Sequence, residues 1–268
     1  MMELLFVHTL LFAILVLVYV TSVFLIASFI KNNSIMDIAY GPAFLVGAVG
    51  SMSILHHANP LSILITLVIF VWSIRLSIRI WHKNQNKPED PRYAKWREEW
   101  SRQGKRYFYL RSYLQIYLLQ GSIIVAVALP FIISLTSADP TIPTLVYLGI
   151  GLAFFGLLYE TTADWQLDQF LDRKKAGAES AVLMTTGLFR YSRRPNYFGE
   201  TLVWWGLAIT VLQLPLGYLA LISPLLITYI VTKVTGPMLE NFFLERHPKE
   251  YKAYVEKTSY FIPWFRLK

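Results

Sequence analysis

The sequence predicts an all-α, polytopic membrane protein of seven transmembrane helices, with the N-terminus outside and the C-terminus cytoplasmic. Three observations carry that prediction. Apolar runs at 4–30, 61–74 and 121–135 are too long and too dry for a globular surface, and about 20 apolar residues suffice to cross a bilayer as a helix. Charged residues make up only 16% of the chain and are bunched, where a soluble domain carries roughly 25%. When the apolar runs are threaded through a membrane, all 25 lysines and arginines fall on one side.

Helices are expected near 4–30, 35–55, 61–82, 112–136, 143–171, 198–214 and 216–236. The first run is preceded by no Lys or Arg and lacks a small-residue cleavage site. At about 27 residues it exceeds the apolar core of a signal peptide, so it reads as a retained helix. Lys31-Asn32-Asn33-Ser34 closes that helix and starts the next. His56-His57-Ala58-Asn59-Pro60 and Ser137-Ala138-Asp139-Pro140 read as tight turns, and Leu214-Pro215-Leu216-Gly217 joins the last two helices. The inner segments are then 31–34, 83–111, 172–197 and 237–268. They hold every cation except Arg75, Arg79 and Lys233, which sit in the inner turns of their helices, where long side chains can reach the interface. A six- or eight-helix threading puts one cluster on the wrong side.

The whole of 1–268 reads as a single membrane domain, with no internal repeat. Absence of cysteine excludes a disulfide framework, a thiolate nucleophile and a thiolate metal site, and no metal ligands are assigned. The net charge of +8 is accounted for by basic loops that fix topology and meet anionic membrane lipid, so no nucleic-acid partner is expected. Twelve or so aromatics beside the inner arginines suit an interfacial belt, or a pocket for a flat anionic cofactor.

Acids in membrane helices mark function by default, because an unpaired one costs several kcal/mol. Glu160, Asp164 and Asp168 recur every fourth residue and share one helix face. Asp37 lies in the first turn of the second helix, followed by Tyr40, where the helix dipole favours an acid. Glu200 follows Arg194-Pro195-Asn196-Tyr197-Phe198-Gly199, and Glu240 follows Gly236-Pro237. Threading places these acids, with Arg75, Arg79, Tyr191, Asn196 and Tyr197, in the inner half. They suit either salt-bridge ladders between helices or one polar cavity open to the cytoplasm. A transporter would prefer paired broken helices and two similar halves, which are not seen.

The segment from Gly187 through Arg190-Tyr191-Ser192-Arg193-Arg194-Pro195-Asn196-Tyr197-Phe198-Gly199 to Glu200 resembles the C-terminal signature of the steroid 5-alpha-reductase-like membrane proteins, especially their bacterial branch. That branch reads His where this chain has Arg194. Further matches are Asp37 with Tyr40-Gly41, Arg75-Leu76, Glu89-Asp90-Pro91-Arg92-Tyr93, Asp164-Trp165-Gln166, Glu245 to Tyr251, and Phe261-Ile262-Pro263. The resemblance implies seven helices with NADPH in a cytoplasm-facing cavity. It implies that Asn196, Glu200, Asp164 and Arg75 contact the cofactor. The family's catalytic acid corresponds most nearly to Asp37, with Tyr40 one turn on. Trp72 occupies the place of the family's catalytic tyrosine, and an indole N–H donates a hydrogen bond but is no acid. Isoprenylcysteine carboxyl methyltransferases share a similar Arg-His-Pro element and tail, and bind S-adenosylmethionine.

Three functions are therefore expected in order. The first is an NADPH-dependent oxidoreductase acting on a CH–CH group, reducing an activated C=C bond of a steroid-like or other lipid enone. Asp37, Tyr40 and Glu160 would line the substrate end; Arg75, Arg193 and Arg194 would neutralise phosphates; Asp164, Tyr191, Asn196, Tyr197, Glu200 and Glu240 would complete the cofactor site. Residues 1–111 would form the substrate side and 112–268 the cofactor side. The second is an S-adenosylmethionine-dependent methyltransferase on a lipid or prenylated acceptor, and the third a non-enzymatic lipid-binding protein. The location would be the inner membrane of a bacterium or the endoplasmic reticulum of a eukaryote.

Overall fold

The structure, a computed structural model, describes residues 1–85, 87–137 and 144–264. The turn expected at Ala138-Asp139-Pro140, the start of the helix expected at 143, and the tail cations Arg266 and Lys268 lie outside the described residues. Every regular element described is helical, and the chain is an all-α polytopic membrane protein. Among the described residues, six helices are long and apolar enough to cross a membrane: α1 (Met2–Ile30), α2 (Ile35–Leu55), α3 (Pro60–Asn84), α5 (Lys105–Val127), α7 (Thr144–Lys175) and α9 (Gly217–Arg246). The helix expected at 198–214 is α8 (Pro195–Val211), present with 17 residues. At 1.5 Å per residue that is about 25 Å, just under the hydrocarbon thickness.

The chain divides into two compact units. The first comprises Met1–Val146 with Val211–Ala220, the second Tyr147–Thr210 with Leu221–Lys268. In the first, α1 shows what lipid does to a sequence pattern. Its buried stripe is Leu5, His8, Phe12, Val16, Val20, Val23 and Ala27, at helical spacing. Yet its opposite face, including Phe6, Leu10, Ile14, Val18 and Leu25, is also apolar and exposed. Both faces need apolar surroundings, so the helix carries no amphipathic signal. Lys31 ends it in the left-handed conformation (φ 55°). The turn into α3 is closed by Asn59, which accepts from Ser62 N at 2.8 Å while its amide donates to the carbonyls of Ser134 and Ser137.

Several expected elements need correction. The segment 83–111, for which no helix is expected, holds α4 (Pro91–Ser101), because Asp90 accepts from Arg92 N at the cap and Pro91 fits the first turn. The helix expected at 112–136 begins earlier, at Lys105. It is interrupted at Ala128, before α6 (Leu129–Ser134). Pro130 is the cause, since it has no N–H to give and its ring opposes the preceding turn. In the second unit, α9 runs ten residues beyond the expected end at 236, and the tail forms a further helix, α10 (Pro248–Lys257).

Candidate functional site

Small residues position the polar groups of α7. A Cβ built on Gly199 would lie 2.6 Å from Glu160 N and 2.8 Å from Glu160 Cα; one on Gly206 would lie 2.5 Å from both Ala153 N and Gly149 O. Helices approach this closely only where side chains are absent, the small-residue packing that serves where lipid offers no hydrophobic drive. Gly199 therefore seats the first turns of α8, with Asn196, Tyr197 and Glu200, on α7 at Glu160. Glu160 and Asp164 are buried, at 4% and 5% exposure, and Asp168 is half-buried. Nearer the end of α7, Gln166 accepts from Leu188 N at 2.8 Å. It lies against Gly187, whose positive φ (60°) and missing side chain the contact requires.

Ahead of α8, two consecutive arginines take different positions. Arg193 is built in. Its Nη2 and Nε donate to the two oxygens of Glu240 (2.9 and 3.3 Å), and its Nη1 donates to Thr258 O at 2.8 Å. Tyr251 of α10 donates a further short bond to Glu240. The tail is laced back over the 187–194 segment: Arg193 N donates to Ser259 O, Ser192 Oγ to Phe261 O, Tyr254 Oη to Phe189 O and Trp264 N to Tyr191 O. Arg194 is different. Its Nη2 stands 3.7 Å from Glu240, and its side chain is only 12% exposed. Its Nε and Nη2 are buried and make no hydrogen bond among the described residues. Its guanidinium lies 5.7 Å from the Phe243 ring centre.

In the first unit, the Asp37 carboxylate accepts from Tyr93 Oη at 2.5 Å and pairs with Arg92 at 3.0 Å. Arg92 also binds Asp90, Arg97 binds Glu89, and Glu89 accepts from Asn33 N at 2.7 Å, so the segment before α4 is clamped on the α1–α2 turn. Tyr40 is half-buried and packs edge-on to Phe44 and Trp72, with ring centres 5.5 and 6.5 Å away. Trp72 is 1% exposed, and Arg75 is half-buried one turn further along α3.

Burial first, then the Asp37 carboxylate, push the Tyr93 hydroxyl well above the usual tyrosine range. Burial and the bond to Glu240 do the same for Tyr251, and burial does so for Tyr254. A group whose folded pKa is raised contributes stability that is complete below its unfolded value, about 10 for tyrosine, and is lost as pH rises above it. Unfolding free energy in detergent is therefore expected to be insensitive to these groups up to about pH 10 and to fall beyond it, with a shallower fall in Tyr251→Phe. An identical slope in the variant would show that Tyr251 ionises freely.

The sequence candidates thus group as follows. Arg193, Arg194 and Glu240 share one cluster; Glu160, Asn196, Tyr197 and Glu200 share the α7–α8 seam, with Asp164 one turn along and Tyr191 held by the tail. Asp37, Tyr40 and Arg75 belong to the first unit. Tyr93, Tyr251 and Thr258 carried no role in the sequence reading, yet each holds a candidate side chain. Tyr93 stood in a recognised motif, and the spacing of Tyr251, Tyr254 and Val255 is that of one helix face. The family described as "Protein of unknown function (DUF1295)" matches residues 23–258. No curated protein and no solved structure matches the chain.

Proposed function

We propose, from the premise that this chain belongs to the DUF1295 family, that it is a membrane-embedded, NADPH-dependent reductase of an activated C=C bond in a lipid or steroid-like enone. The reading includes seven spans, a cytoplasmic C-terminus and residence in the inner membrane of a bacterium or the endoplasmic reticulum of a eukaryote. One observation carries it: Arg194, a mostly enclosed cation whose buried Nε and Nη2 make no hydrogen bond among the described residues, stands immediately before the first turn of α8. A helix N-terminus presents unpaired N–H groups and partial positive charge to an anion, and a guanidinium fork matches phosphate. Arg193 cannot serve in this way, since Glu240 and Thr258 already take its donors.

NADPH, when bound, would supply a hydride. The chain's own share is binding and orientation. Arg194 would neutralise a phosphate, with Asn196 and Glu200 on the same turns of α8 offering an amide and a carboxylate to ribose or carboxamide groups. Glu240 and Tyr251 hold the arginine pair in place. In the first unit, the Asp37–Tyr93 pair supplies a hydroxyl in contact with a carboxylate, the kind of group that can polarise a carbonyl or deliver a proton, a chemistry that Trp72 lacks.

Titration of NADPH, NADP+ and S-adenosylmethionine into detergent-purified protein tests the reading. Saturable NADPH binding at micromolar concentration is expected, weakened about tenfold or more in Arg194→Gln by loss of a charge-assisted contact. Saturable S-adenosylmethionine binding without nicotinamide binding would replace the reductase with a methyltransferase; binding of neither would leave a lipid-binding protein.

A further inference from the structure

A pocket of about 220 Å³ lies in the first unit, where the end of α1, the start of α2 and the end of α3 meet. It contains none of the residues assigned above. Its lining is divided by chemistry. Asn32, Ser34, Asn84 and Gln85 supply amides and a hydroxyl; Ile35, Ile38 and Trp81 supply an apolar wall. Trp81 is 51% exposed, the placement of an aromatic at a membrane–water boundary. The ends of three helices define that boundary, so the pocket opens at headgroup depth with its apolar wall on the hydrocarbon side. Lys31 and Lys83 directly adjoin lining residues in the chain, Lys87 follows closely, and all three are exposed. The neighbouring acids offset them only in part: Glu89 is paired with Arg97, while Asp37 and Asp90 share Arg92.

The geometry points to a binding site for one anionic phospholipid, its phosphate and glycerol among the amides and lysines, its first acyl carbons along Ile35, Ile38 and Trp81. A half-polar, half-apolar pocket at a helix-end boundary, with lysines next to its lining residues in the chain, fits an amphiphile with a negative head. A soluble anion would leave the apolar wall uncovered, and a neutral lipid would leave the lysines without a partner. The inference stands apart from the reductase reading and survives its failure.

Native mass spectrometry of the detergent-purified chain, offered phosphatidylglycerol and phosphatidylcholine of identical acyl chains, tests it. The protein is expected to retain phosphatidylglycerol about fivefold over phosphatidylcholine, the size of effect that one lysine contributes at a charged surface. Asn32→Asp with Asn84→Asp keeps side-chain volume and the Asn32 oxygen that accepts from Ser34 N at 2.9 Å, while placing two negative charges in the pocket. That preference should vanish in this variant. Lys31→Gln with Lys83→Gln, whose side chains make no hydrogen bond among the described residues, should reduce it as well. Lys249→Gln with Lys252→Gln, on α10, should leave it intact. Equal retention of the two lipids by the unaltered chain, unchanged preference in both pocket variants, or an equal loss in the α10 variant would overturn the site.

Discussion

Arg193→Ala is expected to destabilise the protein by about 3–5 kcal/mol, the cost of leaving one member of a buried ion pair without its partner. The pair is well enclosed, with Arg193 6% and Glu240 16% exposed. Removing the guanidinium strips Glu240 of two donors and Thr258 O of one, and so removes one of the fastenings between the tail and the segment ahead of α8. Tyr251 would then hold the Glu240 carboxylate, with Arg194 Nη2 3.7 Å away. Lysine would not rescue the variant, because a single ammonium cannot form the two parallel bonds and also reach Thr258 O. Arg194→Ala should behave in the opposite way. Its nearest ion-pair contact is at 3.7 Å, so stability should fall little, whereas nucleotide affinity should fall most. Denaturant or thermal unfolding in one detergent, paired with NADPH titration, separates the two residues. Equal losses of stability would end the division into a structural and a ligand-facing arginine.

That division could not be read from the sequence. Arg193 and Arg194 are adjacent and chemically identical, and the residues that distinguish them lie far along the chain: Glu240 towards the C-terminal end of α9, Thr258 after α10. The membrane helices were legible because lipid makes composition alone informative; α1 needs no periodicity to be recognised, only its length and dryness. α4 and α10 were not, because they are short, carry many charges and depend on a proline at the first turn and on long-range contacts. Asp37 was visible as an acid in a first turn, and the helix dipole sufficed to explain it. Its clamp by Arg92 and Tyr93 was hidden by the 55 residues between them. Trp72 was legible as a departure in type, and the structure gives it an aromatic setting, edge-on to Phe44 at 5.5 Å.

The α7–α8 seam offers the second large effect, through packing alone. Gly206→Ala places a methyl 2.5 Å from backbone atoms of Gly149 and Ala153, and no rotamer change can relieve a contact with backbone. The helices must separate by about 1 Å to restore van der Waals distance, which removes dispersion contacts along the whole seam. A loss of about 1–3 kcal/mol is expected, despite the gain of up to ~1 kcal/mol from replacing glycine inside a helix. Gly151 is the internal control. It lies on the same helix as Gly149, but its added Cβ meets nothing within 4 Å, so Gly151→Ala should be neutral or slightly stabilising. The consequence for the site is mechanical. The same seam holds Gly199 on Glu160, so a wedge at Gly206 should also weaken NADPH binding, although it lies about two turns from Glu200 and nearly three from Asn196. If Gly206→Ala proves as stable as Gly151→Ala, the close approach of these helices is not what holds the first turn of α8 in place.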